Sequence, residues 1–159
     1  KRQAVDTLDF RCKLATKLGA KLVINSSKNS LYDYIAKITE SKKSNVVIEA
    51  VGGPSGKFAF EQSLEITSQG GIIQVIGLYE NEPLQFDSGQ IQGKKIIGGF
   101  STDANRIWAS DQALKLISQK SINPKKMITH QFHYSEATTA FEMLYGNISN
   151  LMGVVFDWN

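Results

Sequence analysis

A chain of 159 residues, 42% hydrophobic and 21% charged, is long enough for one domain with a real core, and its composition excludes obligate disorder. The formal charge of +3 comes from dispersed lysines whose closest cluster, Lys125 and Lys126, is too small for a nucleic-acid footprint. A single cysteine, Cys12, excludes an internal disulfide and a cysteine-rich zinc site formed by this chain alone; with no apolar run near the roughly 20 residues that cross a bilayer and no signal-peptide core before Phe10, a cytoplasmic protein without a membrane partner is expected.

Apolar runs and helical patterns alternate from the first residue, the signature of a parallel sheet with crossover helices. Gln3 to Asp6 reads as the end of a strand, with Thr7 as N-cap of a helix whose Phe10, Leu14 and Leu18 share one face and whose stop is Gly19. Lys21 to Asn25 follows as a short strand, then a helix carrying Leu31, Ile35 and Ile38, which the polar break at Ser41 to Ser44 ends. Val46-Val47-Ile48 is apolar on successive residues, which predicts a central strand covered on both faces.

Gly52, Gly53 and Pro54 turn the chain into a helix carrying Phe58, Leu64 and Ile66, after which Gly70-Gly71 leads into a buried strand from Ile72 to Gly77. A polar connection containing Pro83 precedes a strand at Lys94 to Ile97. A long helix is expected from about Ala104 to Gln119, burying Ile107, Leu114 and Ile117. Ser135 is the expected cap of a last helix striped with Ala137, Ala140, Phe141 and Leu144, and Val154 to Phe156 closes the chain as a strand.

Asp6, at a strand end just before a crossover helix, is placed to accept hydrogen bonds from dinucleotide ribose hydroxyls; equally, it favours the positive end of the following helix. An acid there repels a 2′-phosphate, favouring NAD over NADP. Arg11, one turn on, either helps hold the ribose or solvates. Gly52-Gly53 and Gly77 follow buried strands, where ligands approach the backbone of open α/β sheets, although each also suffices as a tight turn. His130 and His133, three apart, would share a metal only on a helix, and without an acidic or cysteine neighbour a structural role is expected. Cys12 reads as a packing residue.

Val5-Asp6-Thr7-Leu8-Asp9-Phe10-Arg11 with Leu18-Gly19-Ala20-Lys21-Leu22-Val23-Ile24-Asn25, then Val46-Val47-Ile48-Glu49-Ala50-Val51-Gly52-Gly53, Gly70-Gly71-Ile72-Ile73-Gln74-Val75-Ile76-Gly77-Leu78, and Ile128-Thr129-His130 through Ala140-Phe141-Glu142, resemble in order the medium-chain, zinc-type alcohol dehydrogenases. The resemblance implies a Rossmann-like, mostly parallel α/β fold that lacks its first strand and helix and carries a carboxy-terminal α/β extension. Residues 1–97 would form an incomplete dinucleotide-binding domain, and residues 98–159 a segment that in the family packs on the catalytic domain. It further implies hydride transfer between an alcohol or carbonyl compound and NAD. Asp6 and Arg11 would hold the adenosine ribose, Val51 and Gly52 would lie against the cofactor, Ile76, Gly77 and Leu78 would line the nicotinamide end, and Ile97 joins this cofactor-binding set. The edge from Lys94 to Ile97 would pair subunits into a homo-oligomer.

Several family features have no counterpart here: the first strand with its G-x-G-x-x-G turn, the cysteine, histidine and glutamate ligands of the active-site zinc, and a basic residue where this chain reads Met152-Gly153-Val154-Val155. The expectation is therefore a cofactor-domain fragment, inactive alone, with weak or absent NAD binding. In the strand order 3-2-1-4-5-6 the absent strand leaves a central gap, expected to be closed by a rearranged or partner strand or by direct pairing across it. Competing readings are a non-catalytic self-associating module and a fragment of a zinc-free quinone or enoyl reductase; a methyltransferase on the same sheet is further off.

Overall fold

A computed structural model of the chain describes residues 3–79, 83–99, 103–146 and 150–159; residues 80–82 of the polar connection before Pro83 lie outside that description. The elements run β1 (Gln3–Asp6), α1 (Asp9–Lys17), β2 (Leu22–Asn25), α2 (Leu31–Thr39), β3 (Ser44–Glu49), α3 (Gly56–Ile66) and β4 (Thr67–Val75). They continue through α4 (Ser88–Ile91), β5 (Lys95–Gly98), α5 (Asp103–Ser118), β6 (Ile128–His133), α6 (Ala137–Tyr145) and β7 (Gly153–Asp157). Two compact units share them, one comprising Gln3–Thr7 and Ile24–Phe100, the other Lys1–Arg2, Leu8–Val23 and Ser101–Asn159.

In the first unit, β3, β4 and β5 form a parallel ladder with β4 in the centre, in register Val47 to Ile73 to Ile96 and Glu49 to Val75 to Gly98. Alternate residues of a strand face one way, so Ile73 is fully buried where α3 crosses, meeting Phe60 and Leu64, with Val75, Tyr79, Leu84 and Ile91 around them. A second cluster joins Ile24, Leu31, Ile35 and Ile66, with Tyr34, Ile38 and Val47 packed on it. The four-residue spacing of Leu31 and Ile35 puts both on the inner face of α2, whose start is fixed by Ser30 accepting from the Asp33 amide at 3.2 Å. Each such buried side chain contributes about 1.5–3 kcal/mol.

β1 pairs only with β2 among the described residues, in a sheet of its own. The Ser26 amide donates to the Asp6 carbonyl at 3.0 Å and the Ser27 hydroxyl to the Thr7 carbonyl at 3.1 Å, bringing the two strand ends together. The observed neighbours therefore match the two halves of the expected order on either side of its central gap. Direct pairing across that gap, one of the closures anticipated, does not occur among the described residues, where β3 is an edge of its ladder. Its two sides are joined instead by side chains, since Ile24 of β2 and Val47 of β3 share one cluster. The expectation that both faces of Val46-Val47-Ile48 are covered also fails. Val46 is 59% and Ile48 65% exposed, because the face opposite Val47 has no layer over it among the described residues.

In the second unit, the anticipated Thr7 cap gives way to Leu8. The helix begins at Asp9, beyond reach of the Thr7 side chain, and the Leu8 carbonyl accepts from the Cys12 amide at 3.0 Å. Gly19 does end it, at φ 99°. Helix α5 has nearly its expected span, yet Ile107, Leu114 and Ile117 are exposed, Ile107 by 71%; an apolar stripe buries only where another element meets it. β6 and β7 are parallel, and β6, hidden in the polar string Ile128 to His133, has no counterpart among the expected strands. The expected Ser135 cap is also corrected. A 3-10 turn, Tyr134–Glu136, precedes α6, and its cap is His133, whose ring accepts from the Ser135 amide while the Glu136 carboxylate accepts from the His133 amide at 3.0 Å. Of the anticipated α6 stripe, Ala140 is buried and Phe141 and Leu144 are exposed.

Among the described residues, no helix is long and apolar enough to cross a membrane.

Candidate functional site

Parallel strands bring their carboxy-terminal ends to one side, and there the chain leaving β3 meets the chain leaving β4. The Ile76 and Gly77 amides donate to the Glu49 carbonyl at 2.7 and 3.3 Å, and the Gly53 amide donates to the Leu78 carbonyl at 2.8 Å. Val51, Gly52, Ile76, Gly77 and Leu78, all singled out by sequence, are thus brought together in two segments laced by backbone hydrogen bonds. Close approach depends on Gly77: a Cβ there would press into the Val51 carbonyl oxygen and come within 2.8 Å of Glu49 Oε2. The rim so formed is apolar and open to solvent. Val51, Ile76 and Leu78 are exposed, Leu78 by 68%.

Sequence reasoning missed Glu49 and Tyr79. Glu49 ends β3 with only 3% exposure, an unusual burial for a carboxylate that its donors make tolerable. The Val51 amide donates to Oε1 at 2.6 Å, and the Tyr79 hydroxyl donates to Oε2. Desolvation of Tyr79, and then its hydrogen bond and proximity to Glu49, raise its ionisation well above the ordinary tyrosine range, so it remains a protonated donor. An acid closing an apolar strand was the available signal, since such a residue must be paired if it is buried.

The remaining candidates belong to other elements. Asp6 ends β1, half-buried, with its carbonyl bonded to Ser26. Ile97 lies in β5 opposite Gln74, one strand across from the rim. Arg11 belongs to the first turn of α1, in the other unit. His130 and His133 sit three apart on β6, so their rings project from opposite faces and cannot share an ion. His130 contacts the Thr129 hydroxyl at 3.0 Å, and Cys12 lies in α1. Among the described residues there is no group of three or more histidine, cysteine, aspartate and glutamate side chains that could hold a metal ion.

The model of the family described as "Zinc-binding dehydrogenase" matches residues 3–119, covering both β-sheets of the first unit and α5. The chain belongs to the zinc-binding dehydrogenase family. Among curated relatives, an L-threonine 3-dehydrogenase from Marinomonas sp. is 31% identical over 97% of the chain and 43% of its own length. Of solved structures, zinc-dependent alcohol dehydrogenase 2 from Streptococcus pneumonia superposes with a TM-score of 0.81 at 26% identity, over 99% of this chain and 45% of that one. An alcohol dehydrogenase from E. coli CFT073 complexed with the cofactor NADH gives a TM-score of 0.80 over 98% of this chain and 44% of that one; at 23% identity the likeness is one of fold. The chain therefore spans about two-fifths of the length of the relatives it matches. Its α/β architecture with parallel strands is that of the nucleotide-binding portion of these dehydrogenases.

Proposed function

We propose that this chain supplies the nicotinamide-side rim of an NAD-dependent dehydrogenase that moves hydride between an alcohol and its carbonyl product. The observation that carries the reading is the lacing of Val51–Gly53 to Ile76–Leu78, which sets exposed apolar side chains and backbone edges around Gly77 at the carboxy-terminal ends of two parallel strands. Bound NAD supplies the hydride acceptor. Val51 and Leu78 shield one face of the ring from water, Gly52 and Gly77 let backbone approach it, Ile76 and Ile97 extend the apolar surface, and Asp6 accepts from the ribose hydroxyls. The relatives' names, threonine and alcohol dehydrogenases, support an alcohol as substrate.

The sequence contains no G-x-G-x-x-G turn, so the 159-residue chain alone is expected to hold NAD weakly and not to turn over. Saturation-transfer NMR at millimolar dinucleotide tests this reading. Transfer to NAD exceeding transfer to NADP is expected, because the Asp6 carboxylate repels a 2′-phosphate; equal transfer, or a preference for NADP, would contradict it.

A second reading rests on β5, an edge of its ladder with Ile96 and Ile97 exposed. An uncovered edge favours pairing with another copy, and sedimentation is expected to show a dimer that Ile96→Lys dissociates. A monomer at the highest soluble concentration would dispose of it.

A further inference from the structure

The side chains of Glu49 and Tyr79 take no part in the backbone hydrogen bonds of the ladder, yet together they occupy the place where the two rim segments can be tied. Glu49 carries both ties. Its Oε1 receives the Val51 amide at 2.6 Å, holding the chain as it leaves β3, while its Oε2 receives the Tyr79 hydroxyl from the chain beyond β4. The carboxylate is therefore a bridge between the segments, buried to 3% exposure where a bond to a charged acceptor is stronger than one in water. Tyr79 is itself seated. Its ring packs against the Phe60, Leu64 and Ile73 cluster and lies over Gly56, where any Cβ would collide with it and would also come within 2.8 Å of the Val51 carbonyl oxygen. Glycine at the first residue of α3 is thus required by the same side chain that reaches Glu49.

We propose that Tyr79 is a positioning residue that acts through Glu49: the pair holds Val51 and Gly77 at the spacing the cofactor ring requires. The proposal rests on the nicotinamide-rim reading above and deepens it. Glu49 is buried and holds the Val51 amide, so the effect passes through the backbone of residues 51 and 77.

Tyr79→Phe in the 159-residue chain removes the bridge and keeps the ring in its packing. Amide exchange of Val51, Gly53 and Gly77 is expected to accelerate about five- to tenfold, while that of Gly70, bonded to Gly93 on the far side of β4, stays unchanged. NAD titrated by NMR should bind more weakly by a similar factor. In a Glu49→Gln background, the further change to phenylalanine should add much less, since both substitutions break one bridge. Unchanged exchange at the rim in Tyr79→Phe would overturn the proposal, as would faster exchange with unaltered NAD affinity or fully additive effects. If NAD perturbs no rim residue of the unsubstituted chain, the cofactor reading fails instead, and the exchange and additivity measurements still decide whether the pair holds the rim.

Discussion

Two side chains at the rim lead to measurable consequences. Because folding raises the ionisation of Tyr79 above its ordinary value of 10.0, the neutral hydroxyl is favoured in the folded chain. Its contribution to stability is complete below that value and is lost as pH rises beyond it through the alkaline range. Urea unfolding followed between pH 8 and pH 11 should therefore show a steeper alkaline loss in the unsubstituted chain than in Tyr79→Phe, because the unfolded chain's tyrosine ionises while the folded one stays neutral and phenylalanine has no proton to lose; parallel profiles would show that the hydroxyl is not held. Gly77 carries a steric prediction. Gly77→Ala drives a methyl into the Val51 carbonyl and towards Glu49 Oε2, and is expected to cost about 1–3 kcal/mol in the same unfolding assay, through overpacking of the laced segments. Neither Glu49 nor Tyr79 is legible as part of a site from sequence, since a carboxylate beside an apolar run reads as readily as a solvated strand end. Gly77 and Val51 are legible because a glycine that directly follows a buried parallel strand marks a point where backbone must pass close to a neighbouring strand end or a ligand.

At the scale of elements, the helices and strands follow their periodicity where a single face decides, and depart from it where a neighbour decides. Leu31 and Ile35 predict the buried face of α2 because a core meets it; Ile107 and Leu114 of α5 are exposed and belong to neither buried cluster found among the described residues. β6 is hard to see in the sequence because Thr129, His130, Gln131 and His133 carry no apolar alternation, and its identity comes from pairing with β7. His133, a poor metal ligand by its surroundings, proves to be a cap. His133→Ala should remove the acceptor for the Ser135 amide and cost about 1 kcal/mol, seen as faster amide exchange from Tyr134 into α6, whereas unaltered exchange there would deny the cap its role. In the first unit, Phe60→Ala should cost about 3–5 kcal/mol in urea unfolding, since Phe60 is 1% exposed between α3 and β4.

Over the whole molecule, the split between the β1–β2 sheet and the β3–β4–β5 ladder is visible in the sequence as a gap in strand order, and the manner of joining it is not. Sequence order reveals which strands flank a vacancy, but only packing shows that Ile24 and Val47 meet in one cluster without sharing a ladder. The proposed nicotinamide-facing surface is made by two segments leaving neighbouring parallel strands. A ¹⁵N–¹H correlation spectrum of the 159-residue chain titrated with NAD to millimolar concentration tests it most directly. Saturable shifts are expected at Val51, Gly52, Gly77 and Leu78, with Asp6 responding to the ribose. Shifts gathered on β6 and α6, or none at those rim residues, would contradict it.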